Sequence, residues 1–103
     1  MIGRIVRFGA QPGRGDQLAV LMTEVARSLA GTHGCRLYAA ARDAADPDTV
    51  WITELWDSQD DVDASLAQLQ TEAGRARLAD VMALLDGPPQ RTDLEPLGGV
   101  GVD

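Results

Sequence analysis

The sequence predicts an α+β domain with the element order β-α-β-β-α-β. Three observations carry this. Strand-like stretches rich in alternating, β-branched or aromatic residues fall near positions 2–10, 35–43 and 49–56. Apolar residues recur at helical spacing near 16–30 and again between 58 and 85. Clusters of glycine, proline and aspartate separate the two kinds of pattern. The chain has 103 residues, enough for one modest core, and shows no linker, repeat or low-complexity segment. Residues 1–103 are therefore read as a single domain.

The first strand, Ile2 to Ala10, ends at QPGRGD, where Pro12, Gly13 and Gly15 supply turn chemistry. Asp16 is placed to cap a helix running to about Ala30, with Leu18, Leu21, Met22, Val25 and Leu29 along one face. Gly31 and Gly34 end that helix. CRLYAAARD reads as the second strand, AADPD as a tight loop and TVWITELWDS as the third strand. Ser58, followed three residues later by Asp61, resembles a capping box for a short helix whose inner stripe is Val62, Leu66 and Leu69. Asp60, Asp61 and Asp63 suit the positive end of its dipole. A further helix near Glu72 to Leu85 points Leu78, Val81, Met82 and Leu85 inward, until Gly87, Pro88 and Pro89 stop it. The tail, about 90–103, supplies a last strand that Pro96 and the glycines confine to an edge or to contact with a partner. This order is the ferredoxin-like split β-α-β arrangement.

Charge and composition exclude several functions. A net charge of −7, with nine arginines scattered along the chain and no lysine, argues against nucleic-acid binding, which needs clustered cations. His33 and Cys35 are the only histidine and the only cysteine, too few for a zinc site or an internal disulfide. SQDDVDAS lacks the glycine and spacing of a calcium loop. No bound metal is expected. No apolar run reaches the roughly 18 residues of a membrane span, and MIGRIVRFG lacks a signal-peptide core. The expectation is a soluble, cytoplasmic protein that does not engage a membrane.

The stretch GCRLYAAARDAADPDTVWITELWDSQDDVDASL resembles the antibiotic biosynthesis monooxygenase family, which includes quinol monooxygenases. The Gly-Cys-x-x-Tyr strand, the Arg-Asp and Asp-Pro loop and Glu-x-Trp-x-Ser occur in the family's order, and the likeness covers nearly the whole chain. The resemblance implies a homodimer whose sheets pack together as a dimeric α+β barrel, each protomer holding a pocket between its sheet and helices. It also implies oxidation of an anthrone or quinol-type aromatic substrate by O2 with no bound cofactor. The residues agree with the dimer: Trp51 and Leu55 make the second face of the third strand apolar, and a partner sheet would cover it. The alternative is a non-redox binding protein, isomerase or cyclase on the same barrel.

By alternation, Val50, Ile52, Glu54 and Trp56 share one face of the third strand. The resemblance assigns that face to the pocket, with Trp56 as a flat wall. Two roles are open to Glu54. It is either a pocket carboxylate that takes a proton from the substrate, or a structural group paired across strands with Arg4 or Arg42. Arg75 lies three and seven residues before Leu78 and Met82, on the predicted inner stripe. There it would stabilise a phenolate or enolate; otherwise it reaches solvent from the helix end. Arg77 is a second candidate for the same role. Ser65 would either donate to a ligand or bond back to its own helix. Val6, Phe8, Tyr38, Ile52 and Val62 are candidate lining or core residues. His33 reads as a loop residue or a group at the pocket mouth, and Cys35 as a small buried hydrophobe. The resemblance also shows departures. Haem-degrading members use an asparagine, a tryptophan and an iron-ligating histidine where this chain has Val6, Ser65 and Arg75, which argues against haem degradation. Anthrone-oxidising members pair the pocket tryptophan with an asparagine and a tyrosine, where this chain has Ile52 and Val62.

Overall fold

Strands β1 (Ile2–Gly9), β2 (Cys35–Arg42), β3 (Thr49–Trp56) and β4 (Gln90–Leu94) form one antiparallel sheet in the order β2-β3-β1-β4. Helix α1 (Gly15–Ser28) connects β1 to β2, while α2 (Gln59–Leu66), a 3-10 turn (Ala67–Gln70) and α3 (Glu72–Leu84) connect β3 to β4. This is the predicted ferredoxin-like α+β fold. The structure is a computed structural model and describes residues 1–102. Among the described residues no helix is long and apolar enough to cross a membrane.

Helices cover one face of the sheet. Val6, Val50 and Ile52 from the central strands meet Leu18 and Met22 of α1, and Val81 and Leu85 complete this core. Each is at most 8% exposed, so each contributes on the order of 1.5–3 kcal/mol by leaving water. Trp56 and Val62 are as deeply buried beside this cluster, at the β3–α2 corner.

Three sequence expectations are corrected here. Asp16 does not cap α1. The N-cap is Arg14, which makes no side-chain capping bond, and Asp16 instead pairs with Arg42 at 2.9 Å. The cap comes from across the fold, because Asp48 accepts hydrogen bonds from the backbone N–H of Gly13 (3.2 Å) and of Gly15 (3.0 Å). This close docking explains Gly15: a Cβ there would sit 2.0 Å from the Pro47 carbonyl oxygen. Second, the inner stripes are narrower than the periodicity suggests. Val62, Val81 and Leu85 are buried, whereas Leu66, Leu69, Leu78 and Met82 are 37–47% exposed. Third, the last strand stops at Leu94, two residues before Pro96, so only the first part of the 90–103 tail is strand. The Ser58 cap forms as read: its hydroxyl accepts from the Asp61 N–H and donates to the Asp61 carboxylate.

Asp48→Ala should lower stability by about 1 kcal/mol, the typical worth of a helix cap, in urea unfolding followed by circular dichroism. Asp16→Ala, which removes only an ion pair whose carboxylate is 90% exposed, should change it much less.

Candidate functional site

Strand register assembles a polar row on the helix-covered face. Glu54 on β3 stands opposite Arg4 on β1 and Tyr38 on β2, and Arg4 stands opposite Asp93 on β4. Directly opposed residues share a face, so Tyr38, Glu54, Arg4 and Asp93 cross all four strands side by side. The next row holds Ala40, Ile52 and Val6 at its centre, and these belong to the apolar core.

The helices close over the apolar rows and leave the polar one uncovered. The C-terminal end of α3 is tied to the sheet, with Ala10 and Leu85 bridged, Gln11 N–H donating to Leu84 O (2.8 Å) and Asp86 N–H to Gly9 O (2.9 Å). Earlier in α3, Gly74, Arg77 and Leu78 instead face a cavity of about 440 Å³. Arg4, Tyr38, Glu54, Trp56 and Phe8 form its floor, and Met22 and Val25 of α1 with Leu29, the residue that caps its C-terminal end, form one wall. Leu66 and Leu69 complete the roof, which accounts for their incomplete burial. The volume and the mostly apolar lining are those of a small-molecule site.

Glu54 is 8% exposed, and its Oε1 accepts a hydrogen bond from Trp56 Nε1 at 2.9 Å. The cross-strand ion pair considered for it does not form among the described residues. Arg42 is engaged by Asp16, and Arg4 Nε has a carboxylate oxygen of Asp93 at 4.0 Å. The ring two residues along the strand thus holds the carboxylate. Tyr38, beside it, holds its phenolic proton more tightly than usual, first because it is buried and second because the charge of Glu54 opposes a phenolate. The Cys35 thiol is pushed up by the same two causes, which disfavours a thiolate there.

The structure separates the remaining candidates. Phe8, Tyr38, Trp56, Val62, Ser65 and Arg77 line the cavity. Val6 and Ile52 do not; both are core residues. Arg75 is exposed and lies outside the lining, with its guanidinium 3.4 Å from Gln70 Oε1, so the predicted inward placement is corrected. Ser65 donates to the carbonyl of Val62 at 2.6 Å, the bond to its own helix. His33 is almost fully exposed, 3.5 Å from Asp61 and outside this cavity. Among the described residues no three His, Cys, Asp or Glu side chains converge as metal ligands. Arg4, read from the sequence only as a candidate cross-strand partner of Glu54, is a further residue of the site. Its signal was present: it precedes Val6 by two on a strand, which puts a cation on an apolar face.

The profile of the antibiotic biosynthesis monooxygenase family matches residues 1–77, the span that carries Arg4, Tyr38, Glu54, Trp56 and Arg77. The chain belongs to that family. A protein from Chloroflexus aurantiacus, classed among the antibiotic biosynthesis monooxygenases, is 32% identical over 99% of this chain and 98% of its own, with a TM-score of 0.80. A Mycobacterium tuberculosis protein is 23% identical over 96% and 97% of the two chains, TM-score 0.77. A protein from Nitrosomonas europaea, similarly classed, reaches a TM-score of 0.81 at 14% identity, covering 95% of this chain and 100% of its own. These last two show the fold alone. No functionally curated protein matches the chain.

Tyr38 is the only tyrosine, so absorbance at 295 nm reports it alone. The folded chain should show no tyrosinate as pH passes the ordinary tyrosine value of about 10, while the urea-unfolded chain titrates there. The folded state holds this proton more tightly, so its contribution to stability is present below that pH and declines above it. Glu54→Gln should bring the folded titration part of the way down.

Proposed function

We propose that this protein is a monooxygenase that oxidises an electron-rich aromatic substrate of the anthrone or quinol type with O2 and no bound cofactor. The observation that carries this reading is a carboxylate buried at the floor of a largely apolar cavity, against the edge of a tryptophan. Family membership supplies the reaction class. The site supplies what that reaction needs from a protein: an apolar enclosure, a base and a cation for the developing anion.

For an anthrone, Glu54 takes a proton from the ring methylene and leaves an extended phenolate-type carbanion. One electron passes from this anion to O2, and the resulting radical and superoxide combine into a carbon–oxygen bond. The peroxide anion takes up a proton, and loss of water leaves a new carbonyl. One oxygen atom enters the product and the other leaves as water, so the substrate supplies both electrons to the second oxygen atom. Arg77 replaces Arg75 as the helical cation facing this anion.

The same reading includes a homodimer built sheet to sheet. Support comes from the uncovered face, which carries Ile5, Trp51 and Leu55 at its centre and exposes Leu37 and Leu94 at 39% and 42%. Leu97 and Val100 in the tail are essentially fully exposed and would also meet a partner.

Oxygen uptake with a panel of anthrones and hydroquinones tests the reaction. Saturable uptake with quinone formation is the expected result, and Glu54→Gln should lower kcat by about 10²–10⁴, the usual worth of a general base. Binding without uptake would favour the non-redox alternative. Sedimentation should give twice the 10.9 kDa chain mass, and Leu55→Arg should shift it toward the monomer with the circular dichroism spectrum retained.

A further inference from the structure

Among the described residues, the charged lining of the cavity consists of two guanidinium groups, Arg4 and Arg77, against one carboxylate, Glu54. The site is thus locally cationic in a chain of net charge −7. Arg4 is the unusual member. Among the described residues its Nε is buried with no hydrogen-bond partner, and its nearest carboxylate, on the 68% exposed Asp93, is 4.0 Å away. Asp93 lies closer to Arg91, at 3.1 Å. Buried donors are nearly always satisfied, so one left open on a residue that lines a cavity calls for an explanation, and a polar group of a bound ligand supplies one. A guanidinium presents its donors as a planar fork that matches a carboxylate in two parallel hydrogen bonds.

We propose that Arg4 receives the carboxylate of an aromatic acid whose rings lie along Trp56 and the roof leucines. This rests on the proposed function and narrows it: the substrate class becomes a polycyclic or hydroxylated aryl carboxylic acid. A carboxylate fits better than a phosphate. Glu54 stands directly across the strands from Arg4, and a dianion there would face its charge with only one buried cation in reach. The anchoring also sets register, because a ring held by its carboxyl at Arg4 presents its neighbouring carbons to Glu54.

Binding of 9-anthracenecarboxylate and of its neutral isostere, 9-anthracenecarboxamide, tests this by probe fluorescence and titration calorimetry at pH 7. The wild-type protein should prefer the carboxylate by about 10- to 100-fold, the range for a charge-assisted hydrogen bond to a buried group. Arg4→Met should abolish the preference while leaving carboxamide binding largely intact. Arg4→Lys should retain part of it, and Arg77→Met most of it. Equal wild-type affinities, binding of neither probe, or a preference that survives Arg4→Met would each overturn the proposal. If Arg4→Met does not fold, Arg4→Gln replaces it, and equal wild-type affinities overturn the proposal without any variant. No turnover is required, so the two readings fail separately. A carboxylate preference without oxygen uptake overturns only the monooxygenase reading, and uptake without the preference overturns only this one.

Discussion

A carboxylate cannot be taken out of water without a partner, and much of this site follows from how Glu54 meets that constraint. Among the described residues its one side-chain hydrogen bond comes from the Trp56 indole, two residues along the same strand and on the same face. That bond turns the indole edge toward the carboxylate and leaves the ring faces to the apolar surroundings. Arg4 and Tyr38 flank it on the neighbouring strands, so an acid, a cation and a phenol stand in one row fixed by backbone pairing. None of the three depends on a loop for its position. A sheet is a rigid mount, and a site built on one is held more closely than a site built on loops.

The second constraint is the way α3 is attached. Backbone bonds tie its C-terminal end to the start of the β1–α1 loop, and Val81 and Leu85 pack into the core there. At the opposite end, Thr71 caps the helix by accepting from Gly74 N–H, and Gln68 and Leu69 of the preceding 3-10 turn line the cavity. The two ends do different jobs. One seals the core, and the other holds the roof away from the floor.

Most of the fold was legible in the sequence because it depends on period. Alternation marked β1 and β3, the Ser58 box marked the start of α2, and the glycine and proline clusters marked the turns. What period alone could not show was phase and distance. The sequence places Arg75, Leu78, Val81, Met82 and Leu85 on one stripe of α3; Val81 and Leu85 are buried and Leu78 lines the cavity, whereas Arg75 and Met82 belong to neither the core nor the lining. A helix turns about 100° per residue, so Arg75 and Arg77, two positions apart, point about 200° apart, and only Arg77 reaches the cavity lining. The phase is set by where Leu85 bridges Ala10, a contact between residues 75 apart in the chain. Asp48 was missed as the cap of α1 for the same reason, since its partners precede it by more than thirty residues. Glu54 was legible as an anomaly, but its partner was misread. Opposite charges drew attention across the strands, while the donor was the neighbouring indole.

The floor and the roof of the cavity draw on different reserves of stability. Most floor residues lie on the central strands β1 and β3, which are paired on both sides, and a change there disturbs the whole sheet. Roof residues such as Leu66, Leu69 and Leu78 are already one-third to one-half in water, so trimming or enlarging them removes little buried surface. Cavity size can therefore drift over evolutionary time, or be redesigned, with small effect on folding. Relatives that keep the same strand-borne acid and aromatic ring can differ widely in the bulk of the molecule they admit.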